Sequence, residues 1–375
     1  MFAKEVTGEE ARARIADGTT WAEFCDTLKS AGVLLDRPAS PKDLRDRAEG
    51  YRYLSRLLRA GLEAFVEHGD PLAPVLRRMV HETVKMGADN PDNYYLNAAI
   101  SGAHRYRIVG KRNSVAYLGF GIQSGNYGVG GGQMKTGAYL EASDMHIEPD
   151  GSFTIELSVE PAEGNWLPMT PDSTMLIVRQ TFLDRETERV ADLQVERLDG
   201  DGRPTPLTPE AIDRGLTQAA RFVGGASAIF AMWAEGFQKV PNTLPRFNQA
   251  VSNAFGGDPN IAYYHGYWQL GPGEALVVEA TPPECMHWNF QINNHWMESL
   301  DYRYFPVVIN KHRAKYRPDG SVRIVVAHED PGVDNWLSTV GHDRGTMCFR
   351  WTRAKEHPEP NARVVPVAEL GASRR

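Results

Sequence analysis

Pro149-Asp150-Gly151-Ser152, followed by Phe153-Thr154-Ile155-Glu156-Leu157-Ser158-Val159, returns later in the chain as Pro318-Asp319-Gly320-Ser321, followed by Val322-Arg323-Ile324-Val325-Val326. In both, Asp-Gly supplies the positive φ of a tight turn. Phe153, Ile155, Leu157 and Val159, and later Val322, Ile324 and Val326, then alternate with other residues, the period of a half-buried antiparallel strand. Asn165-Trp166-Leu167 and Arg179 follow the first run, Asn335-Trp336-Leu337 and Arg350 the second. Counterparts lie 169 apart at the aspartates, 170 at the asparagines and 171 at the arginines. So constant a spacing marks an internal duplication.

Working outward, Met86-Gly87-Ala88-Asp89 with Tyr94-Tyr95 matches Phe255-Gly256-Gly257-Asp258 with Tyr263-Tyr264. Ser40-Pro41 and Thr208-Pro209 each combine a hydroxyl N-cap with proline at the first helical position. Helices are predicted through Leu54, Leu57, Leu58, Leu62 and Phe65, and through Phe222, Ala226, Ile229, Phe230 and Trp233, at near-helical period. The expected organisation is an N-terminal helical segment (1–39), module copy 1 (40–185), a charged connection (186–207), copy 2 (208–355) and a proline-containing, weakly ordered tail (356–375). The fold class is α+β: each copy has N-terminal helices and an antiparallel β-sandwich or jelly-roll-like sheet.

Lys and Arg number 41 against 48 Asp and Glu, a formal charge of −7, which offers no general attraction to nucleic acid. Hydrophobic residues at 42% and charged residues at 24% exclude disordered, collagen-like and coiled-coil classes. No stretch has the apolar length of a membrane span, and the first residues lack the apolar run of a secretory signal, so a cytoplasmic location is expected. Cys25, Cys285 and Cys348 are too scattered for a disulfide framework or a Cys-based zinc site.

Leu270-Gly271-Pro272-Gly273-Glu274, His287-Trp288-Asn289-Phe290-Gln291, Ser299-Leu300-Asp301-Tyr302-Arg303 and the Asn335 to Arg350 stretch resemble the bacterial family catalogued as domain of unknown function 1214. Arg47-Ala48-Glu49-Gly50-Tyr51-Arg52 and Gly87 to Asp92 are similar to N-terminal parts of its longer members. The resemblance implies a β-rich fold and no particular reaction.

Residues alike in both copies should hold the fold, and polar groups gained by one copy are candidates for function. At an offset of 168, Gly119, Gly121, Gly125 and Tyr127 answer to His287, Asn289, Asn293 and His295, while Gln123 answers to Gln291. A regular strand would place His287, Asn289, Gln291, Asn293 and His295 on one face, opposite Trp288, Phe290 and Ile292. The bland alternative is a solvated sheet face. Tyr264 and Trp296, among the flanking aromatics, favour a pocket for a ligand rich in hydroxyls or carbonyls, since amides both donate and accept.

His342-Asp343-Arg344 is the second candidate, absent from copy 1, with His342 beside Asp343 as a general base and Arg344 as an anion clamp. A plain surface loop explains it equally. Asn165, Asn335, Arg179 and Arg350, present in both copies, read as structural.

Gly130 to Thr136 lacks the glycine before lysine of a P-loop, and the Gly119 to Gly125 spacing is wrong for a dinucleotide fingerprint. Neither a cofactor nor a metal is expected, because His265, His287, His295 and His342 would have to converge to bind one. The expected function is a cytoplasmic enzyme acting on a hydroxylated, partly apolar small molecule by general acid/base chemistry, hydrolysis or elimination. His295, or His342 with Asp343, would move the proton. His287, Trp288, Asn289, Gln291, Asn293, Trp296, Tyr264 and Arg344 would bind substrate. The alternatives are a non-catalytic carbohydrate-type binding protein, and an assembly scaffold forming a symmetric homo-oligomer.

Overall fold

The computed structural model of the chain describes residues 6–128 and 132–374. The glycines of the rejected P-loop at 130 and 131 lie outside them. Helices α1 (Gly8–Ala16), α2 (Thr19–Ala31) and α3 (Leu44–Leu62) lead into β1 (Asn93–Ala99), β2 (Tyr106–Lys111), β3 (Tyr117–Gly125), β4 (Met134–Glu141), β5 (Ser152–Ser158), β6 (Trp166–Pro168), β7 (Ser173–Thr181) and β8 (Asp192–Arg197). Helices α4 (Pro209–Gln238) and α5 (Gln249–Ala254) follow. Then come β9 (Ile261–Gln269), β10 (Glu274–Ala280), β11 (His287–Ile292), β12 (Val308–Asn310), β13 (Val322–Ala327), β14 (Trp336–Ser338), β15 (Arg344–Thr352) and β16 (Asn361–Pro366).

The sheets run β1-β7-β3-β4 and β6-β5-β2-β8 in the first half. In the second they run β9-β15-β11-β12 and β14-β13-β10-β16, the same orders with every strand number raised by eight. The protein is therefore an α+β duplication of one two-sheet sandwich. Neighbouring strands are antiparallel except β5–β6 and β13–β14. Alternation fills each sandwich: Phe120, Ile122, Leu176 and Val178 from one sheet meet Ile108, Phe153, Ile155 and Leu157 from the other. In the second copy Trp288, Phe290, Phe349 and Trp351 meet Leu276, Val278, Ile324 and Val326.

Asn165 and Asn335 occupy matching turns. Each bonds two backbone carbonyls through Nδ2 and one amide through Oδ1, joining the strand to the loop before it.

Helix α4 starts as the sequence requires, with Thr208 accepting from Ala211 N at 3.1 Å and Pro209 opening the first turn. Its buried row includes Ala219, Phe222, Val223, Ala226, Ile229, Phe230 and Ala234, packed against α3 and the sheets. Copy 1 departs from the expected start. Asp43, not Ser40, caps α3, because Asp43 accepts from Asp46 N while the Ser40 hydroxyl donates to Leu34 O.

The strand after the second Asp-Gly turn matches the reading, but in the first copy the strand ends at Ser158 and leaves Val159 outside it. The stretch read as a connection contributes β8, paired with β2, and the tail contributes β16, paired with β10. Both strands are amphipathic edge strands whose half-buried side chains alternate with exposed ones, which made them look like polar linkers.

Strand register also corrects the alignment of the copies. Gly119 pairs with Arg179 and Asn289 with Arg350, so the offset along β3 and β11 is 170. Gly119 and Gly121 therefore answer to Asn289 and Gln291, Gln123 to Asn293, and Tyr117 to His287. Tyr95 opposite Arg179 answers to Tyr263 opposite Arg350, a spacing of 168 where the sequence match had used 169.

Candidate functional site

Each sandwich turns the outer face of one sheet toward the other copy, and the contacts are reciprocal. From copy 2, Arg350 donates to Ala88 O and Gln291 to Asp89 O (2.8 Å). Asn289 donates to Asn90 Oδ1 (2.6 Å) and Asp92 Oδ2 (3.0 Å), and His287 Nε2 lies 3.2 Å from Asp92 Oδ2. From copy 1, Arg179 donates to Gly256 O, Thr136 to Gly257 O (2.9 Å), and Tyr117 and Tyr139 both to Asp258 Oδ2 (2.9 and 2.7 Å). Tyr139 lies over β3 because Gly119 and Gly121 leave the space; a Cβ on Gly119 would stand 2.3 Å from its hydroxyl.

The amide ladder is thus neither a solvated face nor an open ligand pocket. His287, Asn289, Gln291 and Asn293 have no exposed surface, and the first three hold the copies together. Asn293 donates to Thr346 Oγ1 at 3.2 Å and accepts from Gln291.

Strand β11 ends at Ile292, and the chain turns through Met297 at φ 57°, which takes His295 off the ladder. His295 instead meets Tyr267 OH through Nδ1 at 3.0 Å, and burial pushes its pKa down to about 4. Trp288 and Tyr264 sit in the copy 2 core, bonded to Tyr316 OH and His357 O. Trp296 is buried against α3, its indole donating to Asp46 O. The partners of these side chains lie outside the ladder.

His342, Asp343 and Arg344 also separate. Asp343 pairs with Arg344 at 2.8 and 3.0 Å. His342 points the other way, with Nδ1 3.0 Å from Thr339 O and Nε2 3.0 Å from Glu49 Oε2. Burial disfavours its charge, but the Glu49 carboxylate outweighs that and raises its pKa. Asp46, one turn before Glu49 on α3, is buried and pushed up to about 7 by desolvation and by the neighbouring Asp43.

Between the two inward sheets lies a cavity of about 150 Å³ that sequence reasoning missed. Arg179, Ile177 and Met175 reach it from β7, Tyr95 and Asn97 from β1, Gln123 from β3, Tyr263 and His265 from β9, and Arg350 from β15. Phe230 and Trp233 of α4, with Met86 and Phe255, supply an apolar wall. Three buried polar atoms of this lining have no partner: Arg179 Nη1, Gln123 Oε1 and His265 Nδ1.

Arg179 is 6% exposed and makes no ion pair. Burial opposes its charge, but Tyr139 and Asp258 nearby hold its pKa above the ordinary range. Arg350 differs, since Asn289, Gln291 and Ala88 occupy its guanidinium. His265 lies parallel to the rings of Phe237 and Tyr263, with centroids 5.4 and 5.9 Å away, and burial pushes it down to about 3, so it is a neutral imidazole. Cys348, 4.0 Å from His265 Nε2, is pushed up to about 11 by burial and stays a thiol. The signal in the sequence was the arginine common to both copies: Met175 and Ile177 share its row of β7, and a strand apolar on both rows is covered on both faces.

A second cavity, of about 500 Å³, is lined by Arg77, Arg214, Gln218 and Asp172. It shares Met79, Met134 and Met175 with the first.

Among the described residues no helix is long and apolar enough to cross a membrane. No curated protein matches the sequence. A solved structure of an uncharacterised protein from Burkholderia cenocepacia is 49% identical, covers 96% of this chain and 99% of its own, and superposes with a TM-score of 0.94. The VPA0106 protein from Vibrio parahaemolyticus, 13% identical over 84% of this chain and 98% of its own, reaches only 0.46. The model of the protein family of unknown function DUF1214 matches residues 130–181 and 275–356, one stretch in each sandwich. With that match on both halves of a duplicated fold, as the resemblance around His287 and Asn335 implied, the chain belongs to the DUF1214 family.

Proposed function

We propose that the protein binds a small, partly apolar carboxylic acid carrying a hydrogen-bond donor, in the cavity between its two copies. The observation that carries this reading is Arg179: a buried guanidinium that hydrogen-bonds no carboxylate and has Nη1 unbonded at a cavity. A buried charged donor left without an acceptor is costly, and a carboxylate that accepts from it relieves that cost. Gln123 Oε1 calls for a donor such as a hydroxyl, His265 Nδ1 takes either role, and Phe230, Trp233 and Phe255 suit an apolar body. A cavity near 150 Å³ accommodates a molecule about the size of benzene, so the ligand class is that of short hydroxy acids.

Titration calorimetry with lactate, 2-hydroxybutyrate and 2-hydroxyisovalerate, against their amides, tests the reading. Binding of an acid but not its amide is expected, weakened roughly 10- to 100-fold by Arg179→Met, the worth of a charged hydrogen bond. Equal binding by Arg179→Met, or no binding by any acid, would sink it. The hydrolysis or elimination expected from the sequence remains a second reading, with His265 rather than His295 at the ligand. Conversion of the bound acid, abolished in His265→Phe, is the result that would favour it over binding alone.

A further inference from the structure

We propose that Asp46, Glu49 and His342 form a binding site for one divalent transition-metal cation, of the zinc class, joining α3 to copy 2. One donor atom from each side chain lies within 4.8 Å of the others, the only such group of His, Cys, Asp or Glu among the described residues. Metal–donor bonds of about 2 Å bring donors to roughly 3 to 4 Å from one another, so closure needs only side-chain adjustment. Asp46 and Glu49 stand three residues apart on one face of α3. Thr339 O, accepting from His342 Nδ1, sets the tautomer that leaves Nε2 free to ligate, as in metal sites whose second imidazole nitrogen is held by a carbonyl. Asn294 Nδ2 and Arg52 Nη2 hold the Glu49 carboxylate at 3.1 and 3.0 Å.

A second, independent observation points to a ligand. Asp46 is only 4% exposed, and the group that hydrogen-bonds its carboxyl is a second carboxyl, that of Asp43. A buried carboxylate in that position has either a proton or a cation as its partner. One imidazole with two carboxylates suits zinc or manganese better than calcium or magnesium, which take oxygen alone. The site lies away from the cavity between the sheets and is independent of what that cavity binds.

The test is calorimetric titration of Zn²⁺ into the full-length protein after chelator treatment and dialysis, with Co²⁺ absorption reporting coordination. One Zn²⁺ per chain with micromolar affinity is expected. Both Asp46→Asn and His342→Asn should weaken it at least tenfold, while His146→Asn, on the exposed surface, should not. Zn²⁺ should also raise the melting temperature of the wild type but not of Asp46→Asn. Should His342→Asn fail to fold, the near-isosteric Asp46→Asn decides alone. Absence of binding to the wild type, or undiminished binding to Asp46→Asn, overturns the proposal.

Discussion

Two arginines occupying equivalent positions do different work. Arg350 satisfies Asn289, Gln291 and Ala88, whereas Arg179 has a nitrogen to spare. Arg350→Met should therefore destabilise the fold by roughly 2–4 kcal/mol, since it strands two buried amides and a carbonyl. Arg179→Met should cost less stability and more affinity; urea unfolding beside ligand titration separates the two effects.

His265 makes a pH prediction. Its folded pKa of about 3 lies below the unfolded value of 6.5, so folding favours the neutral ring. The unfolded state takes up the proton first as pH falls below 6.5, and stability is lost over that window. At pH 4.5 the loss is roughly 2 to 3 kcal/mol, and it should be missing from the pH 7 to 4.5 difference in His265→Phe. Asp46, raised to about 7, has the opposite slope, so the comparison is made between wild type and variant. Partners of this kind were not legible in the sequence. His342 and Glu49 stand 293 residues apart, and only the fold makes one the other's neighbour, while the adjacent Asp343, the obvious partner, turns to Arg344.

Strands β3 and β11 show how equal backbones carry unequal chemistry. In β11, Asn289 and Gln291 reach the opposite copy directly; in β3, Gly119 and Gly121 give that space to Tyr139, whose phenol reaches Asp258. Gly119→Ala should cost roughly 1–3 kcal/mol by overpacking against Tyr139, measured by chemical denaturation. On a Tyr139→Ala background the same change should be nearly neutral, the coupling expected of residues in contact. Alternation was enough to read the apolar rows of these strands, because period two is a local property. The fate of the polar rows was not legible. A row of amides looks the same whether water or another module covers it, and the ladder was mistaken for a ligand face on that account. His295 was placed on the ladder by extending the alternation past Ile292, where the turn through Met297 breaks it.

The two copies share their contacts so evenly that they should unfold as one. Heat denaturation is expected to give a single transition with equal calorimetric and van't Hoff enthalpies; two resolved transitions would show the copies to be independent. The duplication itself was legible from repeated Asp-Gly and Asn-Trp-Leu landmarks alone. On the function proposed above, Arg179, which both copies have and which reads as structural on that account, also stands at the ligand. Since the cavity's walls come from both halves, a chain of half this length has only one wall and must associate with a second copy to enclose anything. Fusion into one polypeptide removes the dependence of that enclosure on concentration. It also lets each half mutate alone, so that a chamber assembled from like parts can acquire two unlike ends and hold an unsymmetrical guest in a single orientation.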